Sequence, residues 1–397
     1  MRLRPDLWHL DPEVVHLNHG SFGAVPLPVL DAQRRAAEAI ERSPERFYRV
    51  DLARESDAVR GRLAEFLAVE PDSLALVQNA TEAVQVALAA VDLRAGSEVV
   101  ITDHAYGWVR AAVDRACFDS GAVVRLVTLP LPGGAGGEED RGAGEPAGPG
   151  FAAQVTAALA AALTERTAVV VIDQITSASA LLMPVDAIIA AVTAFGRDIP
   201  VLVDGAHAPG LIDAPVPAGA TFWLGNMHKW AFAARTATAL VVAPGYRERV
   251  RPLVASAGAA AGFPRSFTYL GTQDPTAFLA LPESLSFPDA YLGMSFGELR
   301  RRDSELLDEG LERLRSLTGV RPAPDMGLPL RTAQLGVAGS DKDATEWTTQ
   351  LREAGVEVAI TSVAGALHAR ISVQAYVALE DFDRLGEALE RLLGADD

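Results

Sequence analysis

Between residues 74 and 242, short runs rich in Val, Ile and Leu alternate with segments of helical spacing. This alternation constrains the fold more than any other feature. Leu74–Gln78 is a strand-length apolar run, followed by a helical stretch at 83–91 whose start Asn79 or Thr81 can cap. Ser97–Thr102, Val123–Thr128, Ala168–Ile172, Pro200–Val203, Thr221–Leu224 and Thr238–Val242 read as further strands. Helices at 105–119, 151–164 and 185–195 lie between them. Strands of continuous Val and Ile separated by helices of about ten residues or more predict a mostly parallel sheet covered on both faces.

The pattern changes after residue 285. A helix around 297–316 precedes the Pro/Gly-punctuated, strand-like stretch 319–337. A helix at 343–354, strands at 356–361 and 366–373, and a last helix with Leu379, Phe382, Leu385, Leu389 and Leu392 on one stripe complete the chain. The expected organisation is an N-terminal arm (1–25), a large α/β domain (26–284) and a smaller α+β domain (285–397). Residues 131–150, rich in Gly, Pro and acid, read as a mobile surface loop within the large domain.

Composition excludes several functions. The 397 residues carry 35 Lys+Arg against 52 Asp+Glu, a net charge of −17, which disfavours a nucleic-acid partner. No apolar run is long enough for a membrane span. The opening segment has no signal-peptide pattern, so a cytoplasmic location is expected. One cysteine, Cys117, excludes an internal disulfide, and no His/Cys/acid cluster suggests a metal site. The basic residues comprise 33 Arg and only two Lys, Lys229 and Lys342, so side-chain amine chemistry has two candidates.

In open α/β sheets, ligands bind beyond the carboxyl ends of the strands. There stand Asn79-Ala80-Thr81, Asp103-His104-Ala105-Tyr106, Asp173 to Ser177, Asp204-Gly205-Ala206-His207 and Gly225 to Trp230. A partly buried Lys229 would lose proton affinity and suit Schiff-base formation. Asp204, at the end of a strand, suits a cofactor's ring nitrogen. A lysine imine with a carboxylate–pyridinium pair is what proteins contribute to pyridoxal phosphate chemistry. The helix opening near Thr81 suits a phosphate.

These residues, with Leu17-Asn18-His19-Gly20-Ser21-Phe22-Gly23, His228-Lys229, Gly271-Thr272-Gln273-Asp274-Pro275 and Arg370-Ile371-Ser372, form an ordered set across nearly the whole chain. The set resembles the class V aminotransferase family of fold-type I pyridoxal 5'-phosphate enzymes, most closely its isopenicillin-N-epimerase-like branch. The resemblance implies a homodimer acting on an α-amino acid. Lys229 would carry the cofactor covalently through its amine and later move the Cα proton. Asp204 would pair with the ring nitrogen, and His207 and Ser177 would lie near the phenolic oxygen. Ala80, Thr81, Asn226 and His228 would hold the phosphate, and Thr272 would reach the phosphate of the neighbouring subunit. His104 or Tyr106 would stack on the ring or move a proton. Arg370 would grip the substrate carboxylate, with Asn18 and His19 lining the pocket.

The resemblance has one chemical gap. Desulfurases of the family carry a catalytic cysteine shortly before the carboxylate-binding arginine, and the stretch 358–367 here has no thiol. Persulfide-forming chemistry is therefore not expected, and the branch resembled, which includes C–S lyases, implies a C–S or β-elimination lyase on a cysteine conjugate or modified amino acid. An epimerase or aminotransferase is the alternative, and a non-catalytic descendant of the fold is the remaining one.

Overall fold

The computed structural model describes residues 2–132 and 149–394. Its strands in chain order are β1 (Val15–His16), β2 (Leu74–Val77), β3 (Glu98–Thr102), β4 (Val123–Val127), β5 (Thr167–Asp173), β6 (Val201–Asp204), β7 (Phe222–Asn226), β8 (Thr238–Val242), β9 (Arg321–Pro322), β10 (Leu330–Ala338), β11 (Val356–Glu357), β12 (Ala359–Val363) and β13 (Ala366–Ser372). Seven of them form one sheet in the order β2-β8-β7-β6-β5-β3-β4. Only β8 runs against the others, so the sheet is mostly parallel, as expected.

Strand alternation divides the side chains between two cores. Val99, Ile101, Val169, Val171 and Leu202 pack on one face with the helices Ala80–Ala89 and Gly107–Ser120. Val100, Val170, Ile172, Val201 and Val203 pack on the other with the helices Leu52–Leu67 and Val185–Ala194. Both faces are dry, which is why these strands read as unbroken apolar runs. Cys117 lies in the first of these layers, buried.

The chain after 320 builds a four-stranded antiparallel sheet, β12-β13-β10-β9. The helix Phe296–Thr318 covers it with Leu299, Leu307, Leu311 and Leu314, and the last helix, Glu380–Leu393, adds Phe382, Leu385 and Leu389. The helices touch closely at Gly310, where a Cβ would collide with the Phe382 ring. The N-terminal segment joins this core: β1 pairs in parallel with β11, and Asn18 bridges to Ser372.

Three differences from the sequence reading have physical causes. The single strand expected at 356–361 is two, because Val356 pairs with the N-terminal strand and Ala359 with β13. The helix Leu27–Glu41 carries no sequence signal, since it buries only Val29 and Ile40, too few to mark a stripe. Asn79, not Thr81, caps the helix after β2, its side chain accepting from Glu82 N–H. Residues 133–148 of the loop expected at 131–150 lie outside the described residues. Among the described residues, no helix is long and apolar enough to cross a membrane.

Candidate active site

Parallel pairing brings the carboxyl ends of β5, β6 and β7 to one rim. Asp173 and Asp204 are register partners there, and β7 ends at Asn226. The chain then turns through Met227 and His228 to Lys229. The Nζ of Lys229 lies 3.0 Å from His207 Nε2. Burial, then the nearby Arg370 guanidinium, push the Lys229 amine down to about 7 against the opposing pull of Asp204 and Asp173. A lysine in this state is partly a neutral nucleophile at neutral pH.

The two carboxylates are buried and unequal. Burial raises both. The Ala206 N–H donates to Asp204 Oδ1 at 2.9 Å and draws that group down, as does Lys229. Asp173 additionally feels the charge of Asp204 and is held well above the usual carboxylate range. Asp204 is thus the partner better suited to remain charged, and Asp173 the better proton holder. In sequence Asp173 is one rim residue among several; its place at the end of a strand, matching Asp204, is the signal that marks it.

On the phosphate side, Asn226 Oδ1 accepts from Ala80 N–H (3.1 Å) and from the Thr238 hydroxyl (2.7 Å). These two donors set the amide orientation, so the Asn226 NH2 faces away from them. Ala80 N–H was expected to face the cofactor; here Asn226 uses it. His228 Nδ1 lies 3.3 Å from the Ala237 carbonyl, and burial lowers its ring to about 4. The half-buried Thr81 sits in the first turn of the helix.

Arg370, in the middle of β13, is buried. Its Nη1 donates to the Ser177 carbonyl (2.8 Å) and Oγ (3.3 Å). Its Nη2 donates to Asn18 Oδ1 (3.1 Å) and Ser21 Oγ (2.6 Å). Nε is buried with no partner, and burial brings the guanidinium down to about 10. Ser177, expected near a phenolic oxygen, accepts from this guanidinium through its carbonyl and Oγ. Ser21, which the sequence reading did not single out, joins it because the segment after Asn18 turns back as the short helix His19–Phe22.

His19 is corrected most clearly. It is 2% exposed, with Nε2 3.1 Å from the Lys229 carbonyl and Nδ1 2.9 Å from the Tyr376 hydroxyl. Burial lowers the ring to about 3, so it is neutral. A carbonyl only accepts, so Nε2 carries the proton and Nδ1 accepts from Tyr376. Both nitrogens are used internally, and His19 anchors the lysine's backbone instead of lining a pocket. Gly23 lets this segment approach: its φ is +67°, and a Cβ there would collide with the His228 carbonyl.

His104 and Tyr106 differ in setting. His104 is buried, with Nδ1 2.7 Å from Ser179 Oγ, which lies 2.7 Å from Thr176 Oγ1. Tyr106 is 42% exposed, and burial of part of its ring, outweighing the nearby Arg370, raises its hydroxyl. Thr272 is exposed, beside Gln273 whose carbonyl accepts from the Tyr48 hydroxyl (2.9 Å).

A buried amine, a carboxylate pair, a helix N-terminus and an orphaned guanidinium Nε in one region form a donor set that fits pyridoxal phosphate and an amino-acid carboxylate. No family model matches the chain. It is 30% identical over 415 residues to isopenicillin N epimerase of Streptomyces clavuligerus, covering 97% of this chain and 96% of the relative. It is 28% identical to the probable L-cysteine desulfhydrase, chloroplastic, of Arabidopsis thaliana, covering 97% and 84%. Among solved structures, the cystine C–S lyase C-DES in complex with cysteine persulfide superposes with a TM-score of 0.77 at 16% identity, covering 95% of this chain and 97% of that one. The cysteine desulfurase CsdA of Escherichia coli matches at the same TM-score and identity over 98% of both chains, a likeness of fold. The chain belongs to the class V aminotransferase family of fold-type I pyridoxal-phosphate enzymes, in the branch of isopenicillin N epimerase.

Proposed function

We propose that the protein is a pyridoxal-phosphate-dependent lyase that breaks the Cβ–S bond of a cysteine conjugate or related amino acid. The observation that carries the reading is the single buried, easily deprotonated amine of Lys229 beside Asp204 and Arg370, in a site without a thiol. The chain's one cysteine, Cys117, is packed in a helix layer of the sheet. Persulfide-forming chemistry needs a nucleophilic thiolate, and burial raises the Cys117 thiol. Relatives named L-cysteine desulfhydrase support a C–S lyase.

In this reading, residues 26–284 hold the cofactor and 285–397 supply Arg370, with the arm 1–25 completing the pocket. Lys229 anchors the cofactor, Asp204 faces its ring nitrogen, and His207 its phenolic oxygen. Thr81, Asn226 and His228 hold the phosphate, and His104 or Tyr106 covers the ring. Bound, the cofactor supplies an electron sink for negative charge at Cα. Arg370 fixes the substrate carboxylate through its planar fork and so selects which Cα bond is activated. Lys229, as a neutral amine, takes the Cα proton. The Cβ–S pair departs with sulfur as a thiolate, and the three-carbon remnant hydrolyses to pyruvate and ammonia. The working form is a cytoplasmic homodimer, in which the exposed Thr272 reaches the neighbour's phosphate.

Incubation with cysteine, cystine and S-substituted cysteines tests the reading. Release of pyruvate, ammonia and a thiol in equal amounts is expected. Exchange of the Cα hydrogen with solvent deuterium and inversion at Cα, with no pyruvate from any substrate, would replace the lyase by the second reading, an epimerase. That second reading draws its support from the 30% identity to isopenicillin N epimerase.

A further inference from the structure

The residue after the lysine, Trp230, is 2% exposed and enclosed by Leu211, Leu328, Leu330 and Ile175. Its indole Nε1 donates to His207 Nδ1 at 3.3 Å. The other nitrogen of His207 faces Lys229 Nζ at 3.0 Å. His207 is itself 2% exposed, and burial, then the charges of Lys229 and Arg370, lower its ring well below its ordinary value, so it is neutral and carries one ring proton. An indole N–H donates and cannot accept. The nitrogen it meets must be bare, which leaves the proton on Nε2, aimed at the lysine.

We propose that Trp230 is a positioning residue: its indole holds the proton of His207 on Nε2, so that His207 faces Lys229 as a hydrogen-bond donor and favours the neutral amine. The consequence is directional. An Nε2–H meets the lone pair of an uncharged amine, whereas a bare Nε2 would accept from an ammonium and favour it. The same Nε2–H is then the donor available to an anionic cofactor oxygen placed beside the lysine. The N-terminal arm touches the same indole. Gly20 passes over it, and a Cβ there would come within 3.3 Å of Trp230 Cζ2. The His19 ring lies tilted, its centroid 5.0 Å from that of the same indole, while its Nε2 holds the Lys229 carbonyl. The arm thus meets the lysine's backbone through His19 and lies against the indole that donates to His207.

The inference rests on Lys229 being the reactive amine, and its test does not depend on turnover. The full chain, with and without pyridoxal phosphate, is prepared with 15N-labelled histidine. The His207 signals are those missing in His207→Gln. Nitrogen shifts of an Nε2–H, bare-Nδ1 ring are expected in the wild type. In Trp230→Phe, which keeps a buried ring and removes the donor, the proton should redistribute toward Nδ1. Lys229 is faced by Asp204, Asp173, Arg370, His207 and His228, of which only His207 meets the Trp230 indole that this variant removes. Acetic anhydride labelling of Lys229 in the cofactor-free chain, followed by peptide mass analysis across pH, should shift to a higher midpoint. A half-unit shift corresponds to roughly threefold less labelling at pH 6. A wild-type His207 with its proton on Nδ1 overturns the proposal, as does a Trp230→Phe chain with tautomer and labelling midpoint unchanged. If Trp230→Phe does not fold, the wild-type tautomer alone decides. Failure of pyridoxal phosphate to attach at Lys229 would overturn the functional reading and leave the tautomer result standing.

Discussion

The rim of the seven-stranded sheet and the face of the four-stranded sheet contribute to the same site by different means. The rim collects Asp173, Asp204 and Asn226 because neighbouring parallel strands all end on one side. The antiparallel sheet has no such common end. It offers one cation, Arg370, from mid-strand, and its guanidinium is held by Asn18, Ser21 and Ser177 from two remote segments. A site on a parallel rim is therefore a property of topology. A site on an antiparallel face has to be assembled by whatever chain crosses it.

That contrast can be broken experimentally. Replacing Lys229 by Ala removes the rim's reactive group. Turnover should fall by about 10²–10⁴ from the lost proton transfer alone. Borohydride should no longer fix cofactor to the 229 peptide, which mass mapping checks. Arg370→Ala removes the cation from the opposite side. Truncating a buried, hydrogen-bonded charge costs about 2–5 kcal/mol. A loss of at least about 30-fold in kcat/KM is expected, carried mainly by KM, with cofactor still bound. Arg370→Lys should recover little, since an ammonium lacks the planar fork.

The electrostatic balance between the two regions sets a smaller effect. With Lys229 near 7, only the unprotonated amine captures cofactor. Capture by the cofactor-free chain should slow by about tenfold per pH unit well below 7 and level off above it, as stopped-flow absorbance would show. The sign follows from a pKa lowered on folding: raising the pH through 7 uncharges the amine. Arg370→Gln removes a repelling cation and should move the midpoint upward. The smallest effect belongs to Cys117→Ala. Turnover should stay within about twofold, and thermal unfolding should register only a core truncation of about 1 kcal/mol. A large loss of activity there would break the thiol-free reading.

The two regions were also unequally legible. The parallel sheet announces itself because strands dry on both faces must be apolar throughout, as Val99–Ile101 and Val169–Ile172 are. Its rim follows from where those strands stop, so Asp204 and the segment to Lys229 stand out in the chain. The environment of Arg370 does not. Nothing near residue 370 in sequence specifies Ser21 or Ser177, and nothing near 19 shows that His19 turns inward to the Lys229 carbonyl.

By itself, the sequence determined the layered α/β architecture, the candidate amine and the carboxylate at the end of a strand, because periodicity and strand termini are local properties. Only the tertiary structure decided the state of those groups. It set which nitrogen of His207 meets the lysine, that Asp173 stands beside Asp204, and that the arm closes onto the Lys229 backbone. The reason is physical: proton affinity and tautomer depend on burial and on partners brought in from hundreds of residues away, and neither is written at the position that titrates.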